Sequence, residues 1–352
     1  MRLLSAAVAA AALVLAGCTA HADAEPNEPA ADWPDTWLYQ LSGYADDRLD
    51  AVAAAPHDAA VVDLARDGGE GYWTAAEIGA VKDSGKSVYA YFTMGSIETY
   101  RPEYQAVEAA GLTLNQWGDW PDEYFVRYWD PQWWDLVMEP RLDQAKAAGF
   151  DGVYLDVPNA YEEIDLDLVP GETRESLALK MAELVTAAAE AGEELLIIPQ
   201  NSPELIEYPG YLEAIDGIGI EELFFLATDE PCDQDWCAEN LDYTRDIAGA
   251  GKLVLAVDYA IEPENVASAC ASHAEEGFAS AVAERDLDKI NELCLKDCRP
   301  TCASVSSGTW PDRRPTGSAR GCRRRPGGPS RSTRRPGCPG PSTPTSRPRR
   351  RS

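Results

Sequence analysis

Four apolar runs in this 352-residue chain end in a carboxylate: Val61-Val62-Asp63, Gly152-Val153-Tyr154-Leu155-Asp156, Gly217-Ile218-Gly219-Ile220-Glu221 and Val257-Asp258. Strand side chains alternate between faces, so Val153, Leu155 and Val157 share one side and Gly152, Tyr154 and Asp156 the other. The same rule sets Gly217, Gly219 and Glu221 against Ile218, Ile220 and Glu222. With the isoleucines packed on helices, Glu221 points inward over glycines that leave room for a ligand, and Glu222 points outward. Strands two apart lie about 10 Å from each other, close enough for Asp156 and Glu221 to converge on one bond. Two carboxylates flanking a bond are the apparatus of glycoside hydrolysis. The bland alternative for Asp156 is a cap on the turn that Pro158 and Asn159 begin.

Other chemistries have little to be built from. The chain holds three histidines, His21, His57 and His273, far apart in sequence, and no Gly-x-Ser-x-Gly elbow. A histidine metal centre or a serine triad is therefore not expected. Cys294, Cys298 and Cys302 have helical spacing, but without a neighbouring histidine they make a poor zinc site. No metal and no cofactor are expected.

The elements that must carry these acids alternate apolar runs with amphipathic segments. Eight strands are predicted, at 37–43, 59–65, 87–95, 152–157, 195–201, 217–224, 253–259 and 278–283. Thr74 and Glu77 form a capping box ahead of Ile78 and Val81. Eight such units in about 260 residues, with no run of consecutive strands, predict an α/β fold of the (β/α)8 TIM barrel type, in which strand C-termini carry the chemistry. An open doubly wound sheet is the runner-up, but no Gly-x-Gly-x-x-Gly follows the first strand. The stretch 117–134 breaks the rhythm with Trp117, Trp120, Trp129, Trp133 and Trp134, of which one or two are expected to line a groove and the rest to pack.

The ends differ in kind. Residues 1–18 carry one basic residue, an apolar run and Leu15-Ala16-Gly17-Cys18, which resembles a bacterial lipoprotein signal with Cys18 as the lipidated residue. Residues 19–32 read as a flexible tether, 33–296 as the folded domain, and 297–352 as a disordered tail. The tail from Arg299 holds 14 Arg and a single acid, Asp312, so the net charge of −30 combines a body near −43 with a tail near +13. Such Arg-Pro-Gly-Ser text is also what a shifted reading frame of a GC-rich gene encodes, and that explanation is preferred to an anionic-polymer arm. Nine cysteines behind an export signal predict disulfides, Cys232 with Cys237 first, then pairs among Cys270, Cys294, Cys298 and Cys302.

Several motifs in order resemble glycoside hydrolase family 114, the endo-α-1,4-polygalactosaminidases and their bacterial and archaeal relatives. They are Val62-Asp63, Tyr91 followed by Gly95-Ser96-Ile97-Glu98 and Arg101, Gly149-Phe150-Asp151-Gly152 leading to Asp156, Gln200-Asn201, Gly219-Ile220-Glu221, and Val257-Asp258-Tyr259. The chain departs from fungal members at Gln200-Asn201, where they have Lys-Asn. The resemblance implies a (β/α)8 barrel with Asp156 as nucleophile and Glu221 as acid/base. It also implies a substrate site drawn from Asp63, Tyr91, Glu98, Tyr154, Gln200, Asn201, Asp258 and Tyr259. The expected substrate is an α-linked amino-sugar polysaccharide, a cationic galactosamine polymer, cleaved by an exported, lipid-anchored monomer with no nucleic-acid partner. A glycan-binding lipoprotein without turnover, and a hydrolase of a neutral α-glycoside, are the alternatives. Lipidation at Cys18 is tested by Cys18→Ala, which is expected to move the protein from washed membranes to the soluble fraction. Retention on membranes after high-salt washing would refute it.

Overall fold

The computed structural model describes residues 33–295 except Asp67, Glu70 and Asp119; Cys18, the tether and the arginine-rich tail lie outside the described residues. Eleven strands occur among these residues. They are β1 (Trp37–Gln40), β2 (Ala59–Asp63), β3 (Ser87–Thr93), β4 (Ser96–Glu98), β5 (Thr113–Gln116), β6 (Glu123–Val126), β7 (Gly152–Asp156), β8 (Leu196–Pro199), β9 (Gly217–Glu221), β10 (Leu253–Asp258) and β11 (Ala279–Val282).

All eight expected strands are present and parallel to their neighbours, in a sheet of order β1-β2-β3-β7-β8 and a second of order β9-β10-β11. Single parallel bridges join the sheets at both seams, Gln200 to Gly219 and Thr36 to Ser280. The eight strands therefore follow one another in chain order around a circuit. The main helices alternate with them: α1 (Ala75–Lys82), α2 (Glu139–Ala148), α3 (Arg174–Ala191), α4 (Asp235–Gly249) and α5 (Pro263–Glu276). Thr74 and Glu77 cap α1 reciprocally, as the sequence predicts, and α2 ends at Gly149, whose φ of +80° suits a residue without a Cβ.

The alternation of side chains divides the core. Leu38, Val62, Val88, Phe92, Val153, Leu155, Ile218 and Ile220 face the helix layer. Trp37, Tyr39, Val61, Tyr89, Tyr91, Tyr154, Leu255 and Val257 fill the interior of the circuit. Large residues on β1, β3 and β7 meet small ones on β9 and β11. A Cβ on Gly219 would lie 2.0 Å from the Tyr154 hydroxyl oxygen, and one on Gly217 would lie 2.7 Å from Leu253 Cβ. These glycines therefore make room for neighbouring side chains of the protein, not for a ligand as the sequence suggested.

Between β3 and β7 the chain adds an antiparallel sheet of order β4-β6-β5, which strand periodicity did not reveal because each strand is only three or four residues long. Trp133 of the tryptophan-rich stretch is buried beside it and donates its indole N–H to Met94 O at 3.0 Å. Two disulfides, Cys232–Cys237 and Cys270–Cys294, close loops on the other side of the chain order; Cys298 and Cys302 lie outside the described residues.

The packing of Tyr154 against Gly219 predicts that Gly219→Ala is destabilising by about 1–3 kcal/mol, because the ring sits among Trp37, Tyr39 and Tyr91 and has no open side to move into. Urea denaturation measures this, and an unchanged midpoint would show that the floor is looser than its geometry implies.

Candidate active site

The C-terminal ends of the parallel strands open into a cleft of about 1140 Å³. Asp156 ends β7, where Tyr91 donates its hydroxyl to Oδ2 at 2.5 Å and the backbone N–H of Val157 donates to Oδ1 at 2.7 Å. Burial, and then the charge of Glu221, push the Asp156 carboxyl up to about 7. Glu221 ends β9, two strands away. Its Oε2 accepts the side-chain amides of Gln200 and Asn201, and its Oε1 accepts the Tyr259 hydroxyl.

The backbone turns sharply at these strand ends. Val157 (φ +62°), Asn201 (φ +66°), Ser202 (φ +52°) and Glu222 (φ +59°) all lie in the left-handed region, which is unfavourable for any of them and most of all for β-branched Val157. At Glu222 this turn breaks the alternation. The residue lines the cleft instead of pointing outward, with Oε1 accepting the Ala227 N–H at 2.9 Å.

A buried ion cluster forms the wall toward β2 and β4. Arg101 donates to both oxygens of Asp63, at 3.0 and 2.8 Å, and through Nε and Nη2 to Glu98 Oε1, at 3.0 and 2.8 Å. One guanidinium thus serves two acids. Burial opposes the charge on Glu98, but Arg101 outweighs it and holds the carboxyl below its ordinary value. On Asp63 burial prevails and the carboxyl stays above its ordinary value. Directly across the β4–β6 pairing from Glu98 stands Glu123, bonded to the Ser96 hydroxyl and pushed up to about 8 by burial and by the Glu98 charge. Burial and the neighbouring charge thus favour its protonated form. The sequence reading missed Glu123; its only signal is an acid opening the short apolar run Glu123-Tyr124-Phe125-Val126.

Of the residues singled out from the sequence, Asp63, Tyr91, Glu98, Asp156, Gln200, Asn201, Glu221 and Tyr259 come together around this cleft. Two do not. Tyr154 is a floor residue, fully buried among aromatic rings beneath the cleft. Asp258 follows inward-facing Val257, so alternation turns it toward the helices, where it is completely buried. There Oδ1 accepts the N–H groups of Phe224 and Phe225 at 3.1 Å each, and Oδ2 meets His273 Nε2 of α5 at 3.0 Å. It staples the segment after β9. Trp117 and Trp120 line the cleft, whereas Trp129 and Trp134 pack against the core with Trp133.

In a circuit of parallel strands the C-terminal edge is where chemistry is carried, and a pair of carboxylates there is compatible with glycoside hydrolysis. The chain matches the model of glycoside-hydrolase family GH114 over residues 18–299 and belongs to that family. An uncharacterized protein of Deinococcus radiodurans is 37% identical over 266 residues, covering 75% of this chain and 84% of the relative. Among solved structures, Ega3 of Aspergillus fumigatus in complex with galactosamine aligns with a TM-score of 0.58 at 19% identity, over 76% of this chain and 100% of that one. The glycoside hydrolase domain of PelA from Pseudomonas aeruginosa aligns with a TM-score of 0.56 at 19% identity, over 73% of this chain and 98% of that one. These two likenesses show a shared fold.

The ion cluster predicts that Arg101→Leu, which removes the guanidinium bonded to both Asp63 and Glu98 and leaves only the more distant charge of Arg141 acting on Glu98, loses about 3–5 kcal/mol of stability at pH 7. Because Glu98 is held below its ordinary 4.5, its contribution is complete above that pH and is lost as the pH falls through the lower folded value. The gap between wild type and variant should therefore narrow in acid. Urea melts at pH 7 and pH 4 check this, and a constant gap would assign the loss to packing alone.

Proposed function

We propose that the chain is a (β/α)8-barrel hydrolase that cleaves an α-linked amino-sugar polysaccharide, exported and held at the outer face of the membrane by lipid on Cys18. The observation that carries this reading is the placement of Asp156 and Glu221, from strands two apart, in one acidic cleft. Eleven acids and three arginines line it among the described residues, and Arg66 and Arg101 are already paired with carboxylates. Such a cleft focuses a negative potential on its contents and favours cationic sugars over neutral ones. The exposed faces of Trp120 and Trp236 add apolar surface of the kind sugar rings stack on. Two disulfides fit an exported protein, and the galactosamine bound by Ega3 fits the proposed substrate class.

In this mechanism Asp156 attacks the anomeric carbon while Glu221 passes its proton to the leaving glycosidic oxygen. The Glu221 carboxylate then takes a proton from water, whose oxygen displaces Asp156 and completes hydrolysis. The pair works with one proton between them, and that proton must sit on Glu221. In the protein alone, burial and the Glu221 charge favour a protonated Asp156. An ammonium group entering the cleft opposes that tendency and favours the ionised nucleophile.

Release of reducing ends from a partly deacetylated α-1,4-galactosamine polymer tests the reading. Wild type should be active, with kcat/KM bell-shaped in pH and an upper limb near 7, where the last proton leaves the pair. Asp156→Asn and Glu221→Gln should each lose about 1000-fold or more while melting like wild type. Activity should also fall from low salt to ~0.5 M, where the Debye length is roughly 4–5 Å. Binding without turnover by wild type would favour the glycan-binding alternative, and a preference for the fully acetylated polymer at low salt would remove charge from the account of specificity.

A further inference from the structure

A hydrogen-bond chain crosses the floor of the cleft to Glu221. Tyr39 of β1 donates its hydroxyl to Gln200 Oε1 at 2.9 Å, and Gln200 Nε2 donates to Glu221 Oε2. Asn201 donates Nδ2 to the same oxygen at 2.9 Å, while its Oδ1 accepts the backbone N–H of Glu221 at 3.0 Å. A side-chain amide has one acceptor end and one donor end. In both amides the acceptor end is held by a fixed donor, so neither can turn over without setting oxygen against oxygen. Burial holds the Tyr39 phenol well above its ordinary value, so its end of the chain remains a neutral O–H donor.

We propose that Tyr39 and Gln200 are positioning residues which, with Asn201, occupy both acceptor directions of Glu221 Oε2 and confine the transferable proton of Glu221 to Oε1, beside Tyr259. The inference rests on Glu221 being the acid/base of the proposed mechanism. A carboxylate oxygen offers about two lone-pair directions. Those of Oε2 both meet amide N–H groups, which cannot receive a proton. Oε1 meets the Tyr259 hydroxyl, which donates when Glu221 is a carboxylate and accepts when it is an acid. Proton exchange is thereby limited to one edge of the carboxyl group, and that edge is fixed by residues on β1 and at the end of β8.

The acids Asp156 and Glu222 and the phenols Tyr39, Tyr154 and Tyr259 face Glu221 from β1, β7, the end of β10 and its own turn, and Arg285 of the cleft acts on adjacent Glu222. The contacts made directly to the Glu221 carboxylate are hydrogen bonds from two amides and a phenol, so changing one donor should move the pH dependence of turnover in a direction set by chemistry.

The test compares pH profiles of kcat/KM on the partly deacetylated polymer for wild type, Tyr39→Phe, Gln200→Lys and Glu221→Gln. Tyr39→Phe releases the amide, weakens the charged form of the pair, and should move the whole bell upward by roughly half a pH unit. Gln200→Lys places an ammonium against Oε2 and should move the bell downward by about one unit. KM should change less than twofold in Tyr39→Phe, whose ring is buried in the floor, while Gln200→Lys, which adds a cation to the cleft, is read by the direction of its pH shift alone. A merely structural role would lower activity at every pH without moving the bell. Unmoved bells in both variants, with Glu221→Gln inactive, would overturn the positioning role while leaving the acid/base reading intact. An active Glu221→Gln would overturn the acid/base reading itself, and the positioning role with it. Either positioning variant alone suffices if the other fails to fold.

Discussion

The constraint on which this structure depends is the cost of gathering like charges in a poorly hydrated place. Asp63, Glu98, Glu123, Asp156 and Glu221 line one cleft, and a buried carboxylate without a donor or a cation does not stay ionised. The answers differ. Asp63 and Glu98 share Arg101, Glu123 favours its protonated form, Asp156 takes Tyr91 and a backbone N–H, and Glu221 takes two amides and a phenol. The differences separate acids that hold the wall from Asp156, whose carboxyl burial and the Glu221 charge push up to about 7.

That arrangement needs a rigid platform. The interior rings of Trp37, Tyr39, Tyr91 and Tyr154 pack into one cluster, made continuous by glycine on the facing strand, and two of them carry hydroxyls that reach Asp156 or the amide partner of Glu221. The platform explains how left-handed backbone is tolerated at Val157, Asn201 and Glu222, each disfavoured by about 1–3 kcal/mol. These residues sit immediately beyond the strands, where the turns set the height of Asp156 and Glu221 over the floor. Strain and the placement of the two cleft carboxylates share the same few residues.

The antiparallel insertion between β3 and β7, which pair directly with each other, adds a wall to the cleft at their C-terminal ends. It contributes Glu98 and Glu123 from paired strands, and Trp117 and Trp120 from the connection between β5 and β6. Arg285, from beyond β11, lies over Trp120 at 5.3 Å, so the wall meets the opposite rim through a cation–π contact. Aromatic faces and acids together suit a polymer that is both ring-shaped and cationic, which connects the architecture of the wall to the proposed substrate.

The order of strands and helices determined the eight parallel strands, and alternation the inward direction of Asp156 and Glu221, because a period of two assigns every side chain of a strand to a face once its apolar partners are known. The motif order was enough to indicate the family. Tertiary structure decided what lies beyond one strand's own pattern. The space over Gly219 is filled by Tyr154 from a strand two positions away, which no local pattern encodes. Asp258 faces the helices because Val257 faces in, a phase that the short Val257-Asp258-Tyr259 motif left undetermined. Glu222 enters the cleft through a left-handed turn that interrupts the alternation. Glu123 acquires its raised carboxyl only when antiparallel pairing buries it and then sets it opposite the charge of Glu98, a residue 25 positions earlier in the chain.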